Sequence, residues 1–413
     1  MIVIGMISGT SVDAIDVAAA AFERQGDTLV LHPLGHREVA WPEATKRRLL
    51  AALPPAPVTM GEVCALDVLV GKAFADAAVL GVRELAGGRA DLVSSHGQNV
   101  FHLIEGGRAV GTLQLGQPAI IAEVTGLPVV SDLRARDVAA GGQGAPLAST
   151  LDALWLAGAG GPRAALNLGG IANITVVGAA GETVLAYDTG PASCLLDIAA
   201  TQLTGGAQRC DEDGRMALAG RVRDDLLTRM LAEPYYALPP PKSTGRELFH
   251  TGYLDRWLEK LPSMTGPDLM ATLTELTART VAGACVAHGM TEVVASGGGV
   301  RNPALMAALG RALGGVRLVT AEQRGLPSEA KEAYLFALLG FLSWHGIPAT
   351  VPSATGARGA RILGRISPGA GALRLPEPRG VVGRLVIGGG GAGRIGGSGT
   401  TDPDLRSELG CLL

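Results

Sequence analysis

The chain has 413 residues, of which 47% are hydrophobic and 18% charged, and its formal net charge is −3. That length leaves room for two cores of ordinary domain size and a short extra piece. The balance supplies no basic footprint for nucleic acid and too much apolar residue for a disordered chain, so the expected partner is a small molecule.

The first residues, Met1-Ile2-Val3-Ile4-Gly5, form an apolar strand without the charged region, long apolar stretch and cleavage site of a secretory signal. No uncharged run is long enough to span a bilayer, so no membrane partner and a cytoplasmic location are expected. Five widely spaced cysteines, with no C-x-x-C pair, read as reduced thiols.

Along the chain, β-branched or apolar runs alternate with Ala- and Leu-rich amphipathic stretches, which predicts α/β lobes around largely buried mixed sheets. Strands are expected at 1–6, 91–94, 164–168, 292–295 and 317–320, and helices at 63–85, 148–156, 194–203, 268–288, 303–313 and 328–344. The stretch 127–146, with Pro128, Asp132 and a run of glycines, is the expected crossing between lobes. A first lobe then covers 1–130, completed by about 350–367, and a second covers 131–349. From 368 to 413 the composition turns to Gly, Pro and Arg and reads as a flexible tail. Its Gly391-Ala392-Gly393-Arg394-Ile395-Gly396 is a formal dinucleotide fingerprint, but no helix pattern follows to receive a pyrophosphate, so it reads as chance.

Four segments carry chemistry. In Gly9-Thr10-Ser11-Val12-Asp13-Ala14-Ile15-Asp16, a turn after the opening strand offers backbone N–H groups and two hydroxyls to phosphate oxygens, and Asp13 is a candidate to hold Mg²⁺ through water. A surface β-turn is the alternative. Asn167-Leu168-Gly169-Gly170-Ile171-Ala172-Asn173 is a second strand-glycine-strand hairpin, as a duplicated nucleotide-binding fold would have on the other side of a triphosphate; an ordinary hairpin reads the same way. Asp188 ends a strand at a Gly-Pro turn before a helix and is the candidate general base, with a turn or cap role as the alternative; Asp197 further on reads as structural. Ser296-Gly297-Gly298-Gly299-Val300-Arg301-Asn302 lets a flat base and its ribose approach backbone, or is a tight strand-helix connection without ligand.

Other patterns are missing. Pro241-Lys242-Ser243 lacks the glycine that a Walker loop places before its lysine, and neither the protein-kinase set nor a G-x-S-x-G elbow is present. Three polar, glycine-rich loops suit a polyhydroxyl sugar or are plain surface turns: 94–99, 132–146 and 239–247. Arg134 in the second of them suits a carboxylate or phosphate. His32 and His36 have i, i+4 spacing but no carboxylate pattern to make a metal site, and read as surface residues.

In order along residues 1–365, the segments ISGTSVDAIDVA, SSHGQNVFH, DLRARDVAAGGQGAPL, LNLGGIANIT, YDTGPASCLLD, PPKSTGRE, SGGGVRNP and EAKEAYLFALLG closely resemble the anhydro-N-acetylmuramic acid kinase family. The resemblance implies a two-lobed actin-like ATPase (ribonuclease H-like) fold with its active site in the interlobe cleft. It implies ATP and Mg²⁺ as cofactors, with ATP phosphates on Gly9, Thr10, Ser11, Val12, Asp13, Ala14, Ile15 and Asp16 and on Gly169 and Gly170. The nucleoside is expected at Gly297, Gly298, Gly299 and Asn302, and the sugar near His96, Gln98, Arg134 and Glu332. The implied reaction converts 1,6-anhydro-N-acetylmuramic acid, ATP and water to N-acetylmuramic acid 6-phosphate and ADP, with Asp188 activating the water, and a homodimer is the family expectation. Ala192-Ser193 and Ala14 depart from the family pattern, which places fine substrate contacts in question. The competing readings are an ordinary hexose or amino-sugar kinase of the same fold and a non-catalytic ATP- or sugar-binding switch.

Overall fold

The computed structural model describes residues 1–158, 160–179, 184–259, 264–378 and 380–389. Strand β1 (Ile2–Ser8) runs into the Gly9 turn and returns as β2 (Ala14–Gln25), which pairs in turn with β3 (Thr28–Ala40). After helix Met60–Leu80, β4 (Leu92–Glu105) joins the far side of β1 in parallel, carries a hairpin to β5 (Arg108–Leu115), and is followed by β6 (Val129–Ser131), parallel to it. The spatial order is therefore β3-β2-β1-β4-β6.

The second sheet repeats this plan. Strands β7 (Arg163–Leu168), β8 (Ile171–Val177) and β9 (Val184–Pro191) form an antiparallel meander, and β10 (Glu292–Ser296) and β11 (Arg317–Thr320) add in parallel beyond β7. Its order, β9-β8-β7-β10-β11, matches the first sheet strand for strand. Two copies of one ribonuclease H-like unit make the actin-like fold that the sequence implied. The glycine turns after β1 and β7 occupy equivalent places, because each follows the first strand of its unit.

Helix Lys331–Trp344 is buried from Ala333 through Ser343, as a helix apolar on every side must be, while Glu332 remains exposed at its start. It corrects the expected second lobe of 131–349, because it packs against β1, β2 and β4 of the first sheet. Chain order cannot reveal that return. Gly340 makes the approach possible, since a Cβ there would run into Ser94. At the base of the cleft, Lys331 Nζ lies 2.7 Å from Asp152 of helix Ala148–Leu156, a buried ion pair between helices.

The expected flexible tail also needs correction over its described part. Within it, strand β13 (Arg384–Ile387) pairs in parallel with β3, while β12 (Arg365–Ser367), just before the tail and inside the 350–367 stretch expected to complete the first lobe, pairs with β6, so the first sheet extends at both edges. The four residues Arg384-Leu385-Val386-Ile387 carry enough apolar side chain to bury Leu385, inside a stretch whose overall composition hides them. The 391–396 glycine pattern lies outside the described residues. His32 and His36 sit on strand β3, where i, i+4 spacing has no helical meaning.

Candidate active site

The register of the second sheet decides which polar groups meet. Ser296 on β10 lies opposite Asn167 on β7, Asn167 opposite Asn173 on β8, and Asn173 opposite Asp188 on β9. Direct cross-strand partners share a face, so four polar residues form one row across four strands. All four line a cleft of about 850 Å³ between the lobes.

Asp188 is clasped by the 239–247 loop. The Thr244 N–H donates to Asp188 Oδ2 at 2.9 Å, the Asp188 N–H donates to the Lys242 carbonyl at 3.1 Å, and the Tyr235 hydroxyl donates to the Asp188 carbonyl at 2.8 Å. Lys242 Nζ in turn donates to the Tyr235 and Tyr236 carbonyls at 3.0 and 2.9 Å. Burial raises the Asp188 carboxyl above the ordinary carboxylate range, the Thr244 N–H pulls it back, and the charge of Glu247 raises it further. A half-buried carboxylate with one fixed oxygen and an elevated pKa is suited to accept a proton.

Across the cleft are residues of the 132–146 segment and the start of helix Lys331–Trp344: Arg134, Gln143, Lys331 and Glu332. The Arg134 charge is near Glu332 and His102, whose ring is held below its usual range by burial and by that guanidinium. Asp137, fully buried, accepts from the Gly144 N–H and the Thr355 hydroxyl, each at 2.8 Å, and so shapes the glycine loop behind Arg134. His96 and Gln98, expected beside the sugar, are buried behind the cleft wall instead of lining it. The Gln98 amide donates to the Gly9 carbonyl at 3.0 Å and thereby anchors the first glycine turn.

That turn closes through Val12 N–H to Gly9 O at 3.1 Å, leaving Gly9, Thr10, Ser11 and Asp13 exposed at the end of β1. Val12, with φ of 56°, takes the left-handed conformation, so Ala14 opens β2 without needing the freedom of a glycine. Asp16 pairs across strands with Glu38 and also feels Glu332; burial and these two charges raise it to about 7. A carboxyl whose folded pKa is raised contributes stability below its ordinary value of 3.8 that is lost as pH climbs through about 7. Asp16→Asn is therefore expected to raise the melting temperature over wild type at about pH 8 and to change it little at about pH 4, read by thermal melts at both.

The other glycine turns pack on each other. The Gly169 carbonyl accepts from Ser193 N–H, and that of Gly170 from Ala192 and Cys194 N–H, all at 3.0 Å. Gly297 has φ of 86°, and a Cβ there would stand 2.6 Å from Asn167 Oδ1; one at Gly299 would stand 2.6 Å from Leu168 Cβ. Gly298 faces open space. Asn302 caps helix Pro303–Ala312 by accepting from Leu305 N–H at 3.1 Å. Gly297→Ala is thus expected to destabilise by about 2 kcal/mol through strain and clash, whereas Gly298→Ala should fold normally and, with the nucleoside where the resemblance implies it, raise the KM for ATP. Melting curves and ATP titrations separate the two.

Of the expected site residues, Asp188, Arg134 and Glu332 line the cleft itself. The glycine turns are not among its lining residues; each begins one or two residues in sequence after a lining residue, Ile7, Asn167 or Ser296. A smaller cavity of about 390 Å³ beside helix Ser193–Leu203, holding Asp197 and Arg246, contains neither Asp188 nor the glycine turns.

A family model described as anhydro-N-acetylmuramic acid kinase matches residues 1–369. The chain belongs to the anhydro-N-acetylmuramic acid kinase family. A relative of that name from Streptomyces coelicolor is 56% identical over 391 residues, covering 94% of this chain and 100% of the relative. One from Streptomyces avermitilis is 57% identical over 376 residues, covering 91% and 97%. A third, from Gloeobacter violaceus, is 42% identical over 374 residues and covers 88% and 98%. Among solved structures, a ROK family glucokinase from Streptomyces griseus is 14% identical over 83% of this chain and 99% of that one, with a TM-score of 0.34, too distant to inform the site. The family match spans the second sheet, the first sheet apart from its edge strand β13, and every residue that lines the interlobe cleft.

Sequence reasoning missed Asn167 and Asn173 as cleft residues, although both sat in a recognised segment. Their only signal was their symmetric placement about Gly169-Gly170, which becomes a shared face once the hairpin register is known.

Proposed function

We propose that this chain is an ATP-dependent sugar kinase that cleaves the 1,6-anhydro ring of 1,6-anhydro-N-acetylmuramic acid and phosphorylates O6, in the recycling of cell-wall peptidoglycan. The products are N-acetylmuramic acid 6-phosphate and ADP. The observation that carries this reading is Asp188, held by the Thr244 N–H inside a cleft whose lining strands β1, β7 and β10 run on into the glycine turns of both lobes. A water molecule gives its proton to the Asp188 carboxylate as its oxygen attacks C1. The C1–O6 bond breaks, O6 takes the γ-phosphoryl group, and ADP leaves with the electron pair of the broken P–O bond. The exposed turn from Gly9 to Asp13 and the Gly169-Gly170 hairpin receive the phosphates through backbone N–H groups, and the open face of Gly298 admits the nucleoside. Arg134 and Glu332 face the sugar.

The donor chemistry fits Mg²⁺. Asp16 is crowded by Glu38 and Glu332 and gains from a nearby cation, and Asp13, three residues earlier in the exposed loop, is placed to act through water. Among the described residues no three His, Cys, Asp or Glu side chains converge on one point, which suits an ion held largely by phosphate oxygens and water. When bound, the ion neutralises charge on the transferred phosphoryl group. A homodimer and a cytoplasmic location belong to the same proposal; among the described residues no helix is long and apolar enough to cross a membrane.

The test is mass spectrometry of the product formed from Mg-ATP and the anhydro sugar in ¹⁸O-labelled water. A phosphorylated product with label at C1 is expected. Phosphorylation of an ordinary amino sugar without label, with the anhydro sugar untouched, would replace this reading by that of a plain sugar kinase.

A further inference from the structure

Arg134 has two of its nitrogens committed within the protein. Its Nε–H donates to His96 Nε2 at 2.7 Å, and Nη1 donates to the Gly144 carbonyl at 2.7 Å. Among the described residues Nη2 has no hydrogen-bond partner, and Arg134 lines the cleft.

His96 is only 3% exposed and is packed against Phe336, with ring centroids 4.6 Å apart. Its Nδ1 lies 3.0 Å from the Gly97 carbonyl, an acceptor, so the ring proton sits on Nδ1 and the lone pair on Nε2. Only that tautomer accepts from the guanidinium. Burial and the Arg134 charge hold the ring down to about 3, which keeps it neutral beside a cation. The geometry of Gly97 supports the arrangement: with φ of 72°, a Cβ there would run into the Leu115 carbonyl, so the backbone next to His96 has one course available.

We propose that His96 is a positioning residue, a buried imidazole acceptor that fixes the plane of Arg134 so that Nη2 meets the carboxylate of the sugar's lactyl group. The assignment of the carboxylate rests on the proposed function; the lock between His96 and Arg134 does not. A guanidinium donating through Nε on one edge and Nη1 to a carbonyl is held in two directions, so its remaining nitrogen, Nη2, loses little freedom when a carboxylate docks on it.

The experiment compares His96→Leu and His96→Gln on two substrates, 1,6-anhydro-N-acetylmuramic acid and 1,6-anhydro-N-acetylglucosamine, which lacks the lactyl carboxylate. His96→Leu is expected to lose about 30-fold in kcat/KM on the first, mainly through KM, and about threefold or less on the second. His96→Gln, whose amide oxygen accepts in place of Nε2, should stay within about fivefold of wild type on both. Equal losses on the two sugars, or no loss on either, would overturn the proposal. If wild type turns over neither sugar, the proposed function fails, and the lock is read by ¹⁵N NMR of the histidine rings between about pH 5 and 9. A neutral, Nδ1-protonated His96 signal that shifts in Arg134→Leu supports it; a ring titrating at the ordinary value removes it.

Discussion

Asp188→Asn is expected to lower turnover about 10³-fold while leaving the KM for ATP within about twofold of wild type. The amide keeps the size of the side chain and can still accept from the Thr244 N–H at Oδ, so the loop clasp survives. What disappears is the basic lone pair, and with it, among the described residues, the only cleft-lining carboxylate carried by the second sheet, beside Asn173. The wild-type enzyme should show an acid limb displaced upward from the ordinary carboxylate value, because burial and Glu247 favour the protonated form and only the ionised form accepts a proton. The variant's residual rate should lack that limb. The same shift has a consequence for stability: the raised carboxyl stabilises the fold most when protonated, and this contribution is lost as pH rises through its folded pKa, so the neutral variant should melt no lower than wild type at about pH 8. Steady-state kinetics from acid to neutral pH, with melts alongside, check all three. A variant retaining more than about a tenth of wild-type turnover would mean that another group takes the proton.

Gly5→Val is expected to cost about 3 kcal/mol or more and to lower the melting temperature by about 4 °C or more. Gly5 lies in the middle of β1, under helix Lys331–Trp344. A Cβ there would come within 2.5 Å of the Ala337 nitrogen and 2.9 Å of the Ala337 Cβ, and would run into the Ala333 carbonyl oxygen. Two of these neighbours are backbone atoms, which cannot rotate away, so the helix must lift from the sheet. Lifting it strips contacts from Ala333, Ala337 and their buried neighbours and displaces Lys331 and Glu332, which line the cleft. Activity should therefore fall with stability. Gly310→Ala is the control: it sits in helix Pro303–Ala312 with nothing within 4 Å of the added Cβ, and the better helix propensity of Ala predicts a gain of about 0.5 to 1 kcal/mol. Equal effects of the two substitutions in thermal melts would contradict this account of Gly5.

The sequence by itself determined what is local. Helix Ala148–Leu156 and strand Arg317–Thr320 stand at the expected residues, because their apolar periodicity and their flanking breakers need no distant partner. The glycine turns after the opening strand of each lobe were legible because a chain that bends back within a few residues needs small or permissive residues there. Their order along the chain also sufficed for the family, and with it the two-lobed fold.

Tertiary structure decided whatever depends on register and return paths. The row Ser296-Asn167-Asn173-Asp188 exists only once four strands are aligned, and one residue of slip would turn Asn167 or Asn173 away from the cleft. Gln98 and His96 look like exposed polar loop residues in a one-dimensional reading. Burial behind the wall makes one of them the anchor of the Gly9 carbonyl and the other the acceptor for Arg134. Gly297 and Gly299 were read as room for a nucleoside, yet their hydrogens face the Asn167-Leu168 backbone and side chains, and only Gly298 is open. Helix Lys331–Trp344 rejoins the first sheet after more than 180 residues of other structure, and strands β12 and β13 follow it there, at places set by which surfaces remain apolar and uncovered. Packing chooses among such partners by the area that each buries, and a list of residues contains that area only after the chain has folded.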